Sequence, residues 1–245
     1  MKQKIIVTGS SGFIGSRLRK RLGAMTGNRK VSSYIDCDYI YDLASYGNHK
    51  EQLDIEKIYQ VNLIRLIKLL KGSLNYKGFI VTSTSSVMLP YQTFYSASKR
   101  AAELFAQSLV QKTGAPVMIV RPFSVYGPGE RSDRFIPTVI RCARNKEVLN
   151  LAPGVHDWIY VDDLIEGMIN IAKSGIPGKI YELGTGIQTT NEEVVKYVES
   201  YLGKIKVKKV KKIRLYDTSN WVAKKPSVWA KISLKEGIRK CLEKE

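Results

Sequence analysis

The sequence predicts an α/β fold built on a doubly wound, parallel sheet, and three observations carry that prediction. Short apolar runs alternate along the chain with amphipathic helical patterns. Most of the apolar runs end in small or polar residues, as strands do when a parallel sheet presents a ligand at their C-terminal ends. A glycine-rich turn joins the first strand to the first helix.

The opening KIIVTGSSGFIGSRLRKRL reads as a buried strand over 4–8, a turn, and an amphipathic helix from about Phe13. Gly9, Gly12 and Gly15 have the spacing G-x-x-G-x-x-G. The first glycine allows the tight turn, the second lets the backbone approach a pyrophosphate, and the third lets the helix pack closely on the strand. The helix then presents its free N–H groups and the positive end of its dipole to the phosphates. Gly9, Ser11, Gly12, Phe13, Ile14 and Gly15 are therefore the expected dinucleotide contacts of this turn.

Strands are expected at 38–45 (DYIYDLAS), 77–85 (KGFIVTSTS), 115–122 (APVMIVRP) and 178–186 (GKIYELGTG), and helices at 55–72, 96–114, 161–175 and 189–203. Only 22 residues separate Gly15 from Asp38, and the first helix takes about ten of them. A parallel crossover needs a dozen residues or more. VSSYI (31–35) is thus either part of one irregular extended stretch with 36–43 or a stub at the sheet edge, and the sheet is expected to be truncated on its adenosine side.

Of the 245 residues, 44% are hydrophobic and 25% charged, enough apolar material for a sizeable core. Cys37, Cys142 and Cys241 are scattered, and His49 and His156 have no ligand-like neighbours, so neither a disulfide framework nor a metal is expected. There is no apolar run near 18 residues and no leader pattern at the start, so a cytoplasmic protein without a membrane partner is expected. The net charge is +18, held at the two ends: +8 over 1–30, zero over 31–203 and +10 over 204–245. Such a field attracts phosphates, whether in a nucleotide cofactor, a nucleotide-linked substrate or a nucleic acid. The basic run KIKVKKVKKIR (204–214) reads as a strand with one solvated face, and it has no aromatic residue for stacking on a nucleic acid.

TGSSGFIG, DYIYDLAS, Asn62 in YQVNLIRLIKLL, TSTSSV, the pair Tyr95 and Lys99 in YSASK, RPFSVYGPGER, HDWIYVDDL, YELGTG, RLYD and ISLKEGI occur in this order over nearly the whole length. In that set the chain resembles the extended short-chain dehydrogenase/reductase family, which includes the NAD-dependent nucleotide-sugar epimerases and dehydratases. The resemblance implies a Rossmann-type domain over 1–125 and 155–182, and a smaller C-terminal substrate lobe over 126–154 and 183–245. It also implies a nucleotide-sugar substrate and a homodimer formed through two helices, here including 55–71 and 96–112.

The chemistry suits the residues independently. A tyrosine with a pKa of about 10 is a poor base at neutral pH and needs a nearby cation to favour its phenolate. Lys99 follows Tyr95 by four residues, one helical turn on. By resemblance, Tyr95 removes a hydroxyl proton as hydride leaves the same carbon, Thr84 hydrogen-bonds the substrate oxygen, and Lys99 also holds the nicotinamide ribose. The resemblance further places Leu43, Ala44, Thr82, Pro122 and Phe123 against the cofactor. Asn62 corresponds to a buried asparagine that orders the active-site backbone. Ser85, Ser124, Arg214 and Asp217 fall on substrate-contacting positions.

Some positions depart from the family pattern. Ser85 and Ser86 stand where 4,6-dehydratases carry an Asp-Glu pair, which speaks against dehydration. Ser124 replaces an asparagine, His156 an arginine, and the connection from Thr84 to Tyr95 is short. Asp36 is the acid whose spacing suits the adenosine ribose of NAD, while Arg17, Arg29 and Lys30 could receive the 2′-phosphate of NADP. The expected activity is NAD(P)-dependent C4 epimerisation of a nucleotide sugar, with ketoreduction as the alternative. A non-catalytic dinucleotide-binding scaffold that holds nucleic acid through its basic ends is the alternative from another class.

Overall fold

The computed structural model of the chain describes residues 3–27, 34, 36–49, 51–211, 222–227 and 230–243. The chain divides into two compact units, Met1–Pro122 with Ile165–Tyr181, and Phe123–Leu164 with Glu182–Glu245.

In the first unit β1 (Ile5–Thr8) leads through the glycine turn into α1 (Phe13–Leu22). Gly23 closes the helix in the left-handed region (φ 58°), and the Ala24 N–H returns to the Arg19 carbonyl (3.0 Å). The chain thus enters β2 (Met25–Thr26) at once and pairs it parallel to β1. β3 (Tyr39–Asp42) pairs with the other side of β1, with Ile5 opposite Tyr39 and Thr8 opposite Asp42. β4 (Gly78–Thr82) and β5 (Val117–Pro122) extend that side in parallel, and β10 (Ile180–Leu183) lies beyond β5. The six-stranded order is β10-β5-β4-β3-β1-β2, so the direction of winding reverses at β1. Among the described residues only the two of β2 lie beyond β1, in keeping with the truncation expected from the short interval before Asp38. The stub itself lies at Met25–Thr26, earlier than VSSYI, most of which falls outside the described residues.

Between β3 and β4 the single helix expected over 55–72 is broken into α2 (Ile55–Tyr59), a π-helical turn (Gln60–Ile64) and α3 (Arg65–Gly72). α4 (Phe94–Thr113) follows β4 after a 3₁₀ turn (Ser85–Met88). Ile40, Phe79, Val81, Val117 and Ile119 from alternate strand positions meet Leu66, Leu69 and Leu70 of α3 and Ala102 and Ala106 of α4 in one buried cluster. Each fully buried leucine or phenylalanine contributes roughly 1.5–3 kcal/mol. Period-2 strands and period-3.6 helices with these faces have one way to close, sheet against helix.

The second unit pairs β6 (Ser124–Tyr126) with β9 (Trp158–Tyr160) in parallel, and β8 (Val155–His156) with β11 (Thr189–Thr190) antiparallel. β7 (Leu149–Leu151) pairs with β12 (Val207–Lys209) in parallel. These pairings carry residues 155–164 into this unit rather than into the first, where the sequence had placed them. Helices α5 (Phe135–Asn145), α7 (Asn191–Leu202) and α8 (Leu234–Glu243) complete it, and α6 (Val161–Ser174) begins here and continues into the first unit. Asp157 is buried and accepts from the Thr185 N–H and hydroxyl and from the Gly186 and Ala223 N–H groups, at 2.7–3.0 Å. Among the described residues no helix is long and apolar enough to cross a membrane.

Candidate active site

The glycine turn is built from contacts that admit no side chain. A Cβ on Gly15 would lie 2.2 Å from the Gly9 carbonyl oxygen, and one on Gly9 2.7 Å from the Ala44 nitrogen. Gly9 itself is in the left-handed region (φ 63°). Gly12 caps α1 without a side-chain hydrogen bond, and the first turn holds no acid, so its N–H groups are open to an anion. Ser11, Phe13 and Ile14 lie in the same turn.

Leu43 and Ala44, which follow β3, are therefore in backbone contact with Gly9. Two helical residues fix this strand exit. Asn62, buried within the π-helical turn, accepts from the Tyr46 N–H (2.9 Å) and donates to the Tyr46 carbonyl (2.8 Å) and the Ser98 hydroxyl (2.9 Å). Arg65 donates from Nη2 to both oxygens of Asp42 (2.7 Å each) and, at 3.4 Å, to the Ala44 carbonyl. π-Helical turns recur at functional sites because one added residue re-aims the side chains that follow.

α4 brings Tyr95 and Lys99 onto one face. Thr93 caps it, with a capping box completed by Ser96, which places Tyr95 in the first turn, where the helix dipole favours a phenolate. Lys99, 4% exposed, donates from Nζ to the Thr82 carbonyl (2.7 Å) at the end of β4. Burial lowers its pKa from 10.5 to about 8; Asp42 acts in the opposite direction, Arg65 in the same direction and Glu103 again in the opposite one. Glu103, one further turn along α4, is 0% exposed and accepts from Ser83 Oγ (2.6 Å), Arg121 Nε (2.7 Å), Arg121 Nη2 (2.8 Å) and Arg100 Nη1 (2.9 Å). The parallel strand ends β3, β4 and β5 are thus each tied to a helix by a charged side chain.

Thr84 follows β4 and opens the 3₁₀ turn, which packs against α4. Its Oγ1 lies 2.6 Å from Ser86 Oγ and accepts from the Ser86 N–H at 3.3 Å. Ser85 is buried. No carboxylate occurs between Thr84 and Met88. Thr82 Oγ1 is buried with no hydrogen-bond partner among the described residues.

Asp36 is not brought to this site. It precedes β3, at the end of the strand opposite the glycine turn, where Asn75 donates to it (2.8 Å). The expectation that it holds the adenosine ribose is corrected on that ground: the strand that follows α1 is β2, and the residue at its C-terminal end is Gly27, whose N–H donates to the Val7 carbonyl (2.8 Å). Pro122 ends β5 in the first unit and Phe123 opens the second. Within the second unit Ser124 Oγ lies 3.4 Å from His156 Nδ1, so the two departures noted at these positions are neighbours. Arg214, Asp217, Arg29 and Lys30 lie outside the described residues.

Asp42, Arg65, Glu103 and Arg121 were not among the residues singled out from sequence. One signal was available: Tyr95, Lys99 and Glu103 follow at i, i+4 and i+8 on one helical face.

A parallel sheet with a glycine turn at its switch point is a Rossmann-type fold. The chain belongs to the NAD dependent epimerase/dehydratase family, whose model matches residues 23–184. A dTDP-D-glucose 4,6-dehydratase of Dictyostelium discoideum is 25% identical over 266 residues, spanning 80% of this chain and 61% of that relative. Among solved structures, a UDP-glucuronic acid 4-epimerase from Bacillus cereus in complex with NAD aligns over 99% of this chain and 98% of its own, with a TM-score of 0.80 and 20% identity. The RMD protein of Pseudomonas aeruginosa complexed with NADPH aligns over 99% and 98% with a TM-score of 0.78 and 19% identity.

Proposed function

We propose that the chain is an NAD(P)-dependent epimerase that inverts C4 of a nucleotide-linked sugar through a transient 4-keto intermediate. The observation that carries the reading is Lys99, buried and bonded to the Thr82 carbonyl one helical turn from Tyr95 at the start of α4. A lysine held out of water in that place has a specific use, which is to offset a negative charge forming beside it. The family membership and the NAD and NADPH complexes of the structural neighbours support the cofactor class. The Gly9–Gly15 cradle, the acid-free start of α1 and the unpartnered Thr82 hydroxyl fit a dinucleotide. When bound, the dinucleotide accepts the hydride from C4 and returns it.

The chain's own residues do the rest. Tyr95 takes the C4 hydroxyl proton as the carbonyl forms and gives it back when the carbonyl is reduced from the other face. Thr84 Oγ1 accepts from the Ser86 N–H and pairs with Ser86 Oγ at 2.6 Å; with Ser86 donating in that pair, the Thr84 proton serves the substrate oxygen. Ser85 and Ser86 offer no carboxylate to remove a proton and expel water, which separates this chain from its dehydratase relatives in the proposed chemistry.

The test is incubation with a panel of UDP- and dTDP-linked hexoses, followed by NMR. Interconversion of C4 epimers with no net change in NAD(P)H is expected. Net loss of water would replace the reading with dehydration, and stoichiometric NADPH consumption would replace it with ketoreduction. Tyr95→Phe is expected to lower turnover about a hundredfold or more; full activity in that variant would remove Tyr95 from the mechanism.

A further inference from the structure

Asp42 poses a problem where it stands. It ends β3, directly before the Leu43–Ala44 backbone that touches Gly9, and it is buried. A bare carboxylate there would repel the diphosphate that the glycine turn is built to receive. Thr8, the last residue of β1, donates its hydroxyl to Asp42 Oδ1 (2.5 Å) and accepts from the Ala44 N–H (3.2 Å). This orders the carboxylate without neutralising it.

Arg65, 17% exposed, supplies the charge, and the helix is wound to let it. Its backbone N–H bonds the Gln60 carbonyl, five residues back, instead of the Val61 carbonyl four residues back. The Val61 carbonyl accepts from Arg65 Nε instead (3.2 Å). The guanidinium is therefore held by its own helix at one end and by Asp42 and the Ala44 carbonyl at the other. Three residues earlier Asn62 clamps Tyr46. The segment 42–46 is fixed at Asp42, Ala44 and Tyr46, from two positions on the same turn of helix.

We infer that Arg65 is a positioning residue of the cofactor site: it cancels the charge of Asp42 beside the glycine turn and holds the 42–46 strand exit against Gly9. This rests on the reading of the turn as a dinucleotide site. The charge half of the role follows from Coulomb's law: two like charges on the order of 10 Å apart, at an effective dielectric constant of about 20, repel enough to weaken binding about tenfold.

The test titrates NADH and NADPH by fluorescence against the wild type, Arg65→Gln, Arg65→Lys and the double variant Asp42→Asn/Arg65→Gln. Hydrogen exchange over 9–12 and 42–46 is measured on each without cofactor. Arg65→Gln is expected to bind about tenfold more weakly or worse and to exchange faster over 42–46. The double variant, with no charge left to cancel, is expected to recover most of the affinity, a recovery that a merely structural role would not give. Arg65→Lys, which keeps the charge and loses the fork, is expected to fall between. Where Arg65→Gln does not fold, the comparison of Arg65→Lys with the double variant carries the test. Unchanged affinity and exchange in Arg65→Gln, or no recovery in the double variant, would overturn the inference. A wild type that binds neither dinucleotide while Arg65→Gln exchanges faster would instead overturn the cofactor reading and leave the positioning in place.

Discussion

Two glutamates buried in different units of the chain are treated in opposite ways. Glu103 in α4 receives four hydrogen bonds, three of them from arginines. Glu130, in the loop after β6, has a side chain 7% exposed, a single cation at 3.8 Å, Arg134, and an Oε2 without any partner among the described residues. Burial accordingly pushes the Glu130 pKa up from 4.5 to about 8, with Arg134 opposing and Asp133 adding to the rise. A compensated buried charge becomes architecture, whereas an uncompensated one remains a proton-binding group. The first unit places its compensated charges at the C-terminal ends of β3, β4 and β5, where the proposed chemistry takes place.

The contrast can be broken from the Glu130 side. With a folded pKa above the unfolded value, Glu130 favours the folded state fully below about pH 4.5, and that contribution is lost as pH rises through 8. Glu130→Gln should therefore match the wild type near pH 4.5 and exceed it at pH 8 and above by on the order of 5 kcal/mol, at about 1.4 kcal/mol per unit. Urea denaturation across this range measures the difference, and parallel curves would show that water already solvates Oε2.

From the other side, Glu103→Ala strands Arg121 and the Ser83 hydroxyl in a buried place. The expected loss is about 3–5 kcal/mol, read as a lower urea midpoint with an unchanged slope. A loss below about 1 kcal/mol would mean that Arg121 finds solvent. Lys99 sharpens the comparison from the cationic side. Its depressed pKa favours the folded state fully above about 10.5, and that contribution is lost as pH falls through about 8. The stability of the wild type relative to Lys99→Met should rise by about 3 kcal/mol between those values. A flat difference would show that Lys99 is solvated. The smallest effect belongs to Lys77 and Asp38, paired at 2.7 Å at the opposite end of β3, with the lysine side chain 68% exposed. Lys77→Ala should leave the melting temperature unchanged within error, because an exposed pair gains little over its hydration.

Much of the first unit was legible in the sequence because its signals are local. The glycine spacing, the apolar runs over 4–8 and 77–85, and the Tyr95–Lys99 interval each depend on residues a turn or a strand apart. Pairings between distant segments were not legible: nothing near Asp42 announces Arg65, and nothing near Arg121 announces Glu103. The π-helical turn was missed because a period of 3.6 read across 55–72 cannot register one added residue. Asp36 was chosen by its distance along the chain from the glycine turn, and that count runs past the end of β2, which has two residues and stops at Thr26. In the second unit most strands have two or three residues, too few to show an alternation.

The π-helical turn also limits how this chain can vary. Each residue advances a helix by about 100°, so losing Leu63 or Ile64 would rewind the interval between the two grips to ordinary pitch. Either Asn62 or Arg65 would then swing away from the strand it grips while the other stayed. The interval between these two grips is set to the residue. Related chains should accept length changes in the loops on either side of this helix, but not between Asn62 and Arg65.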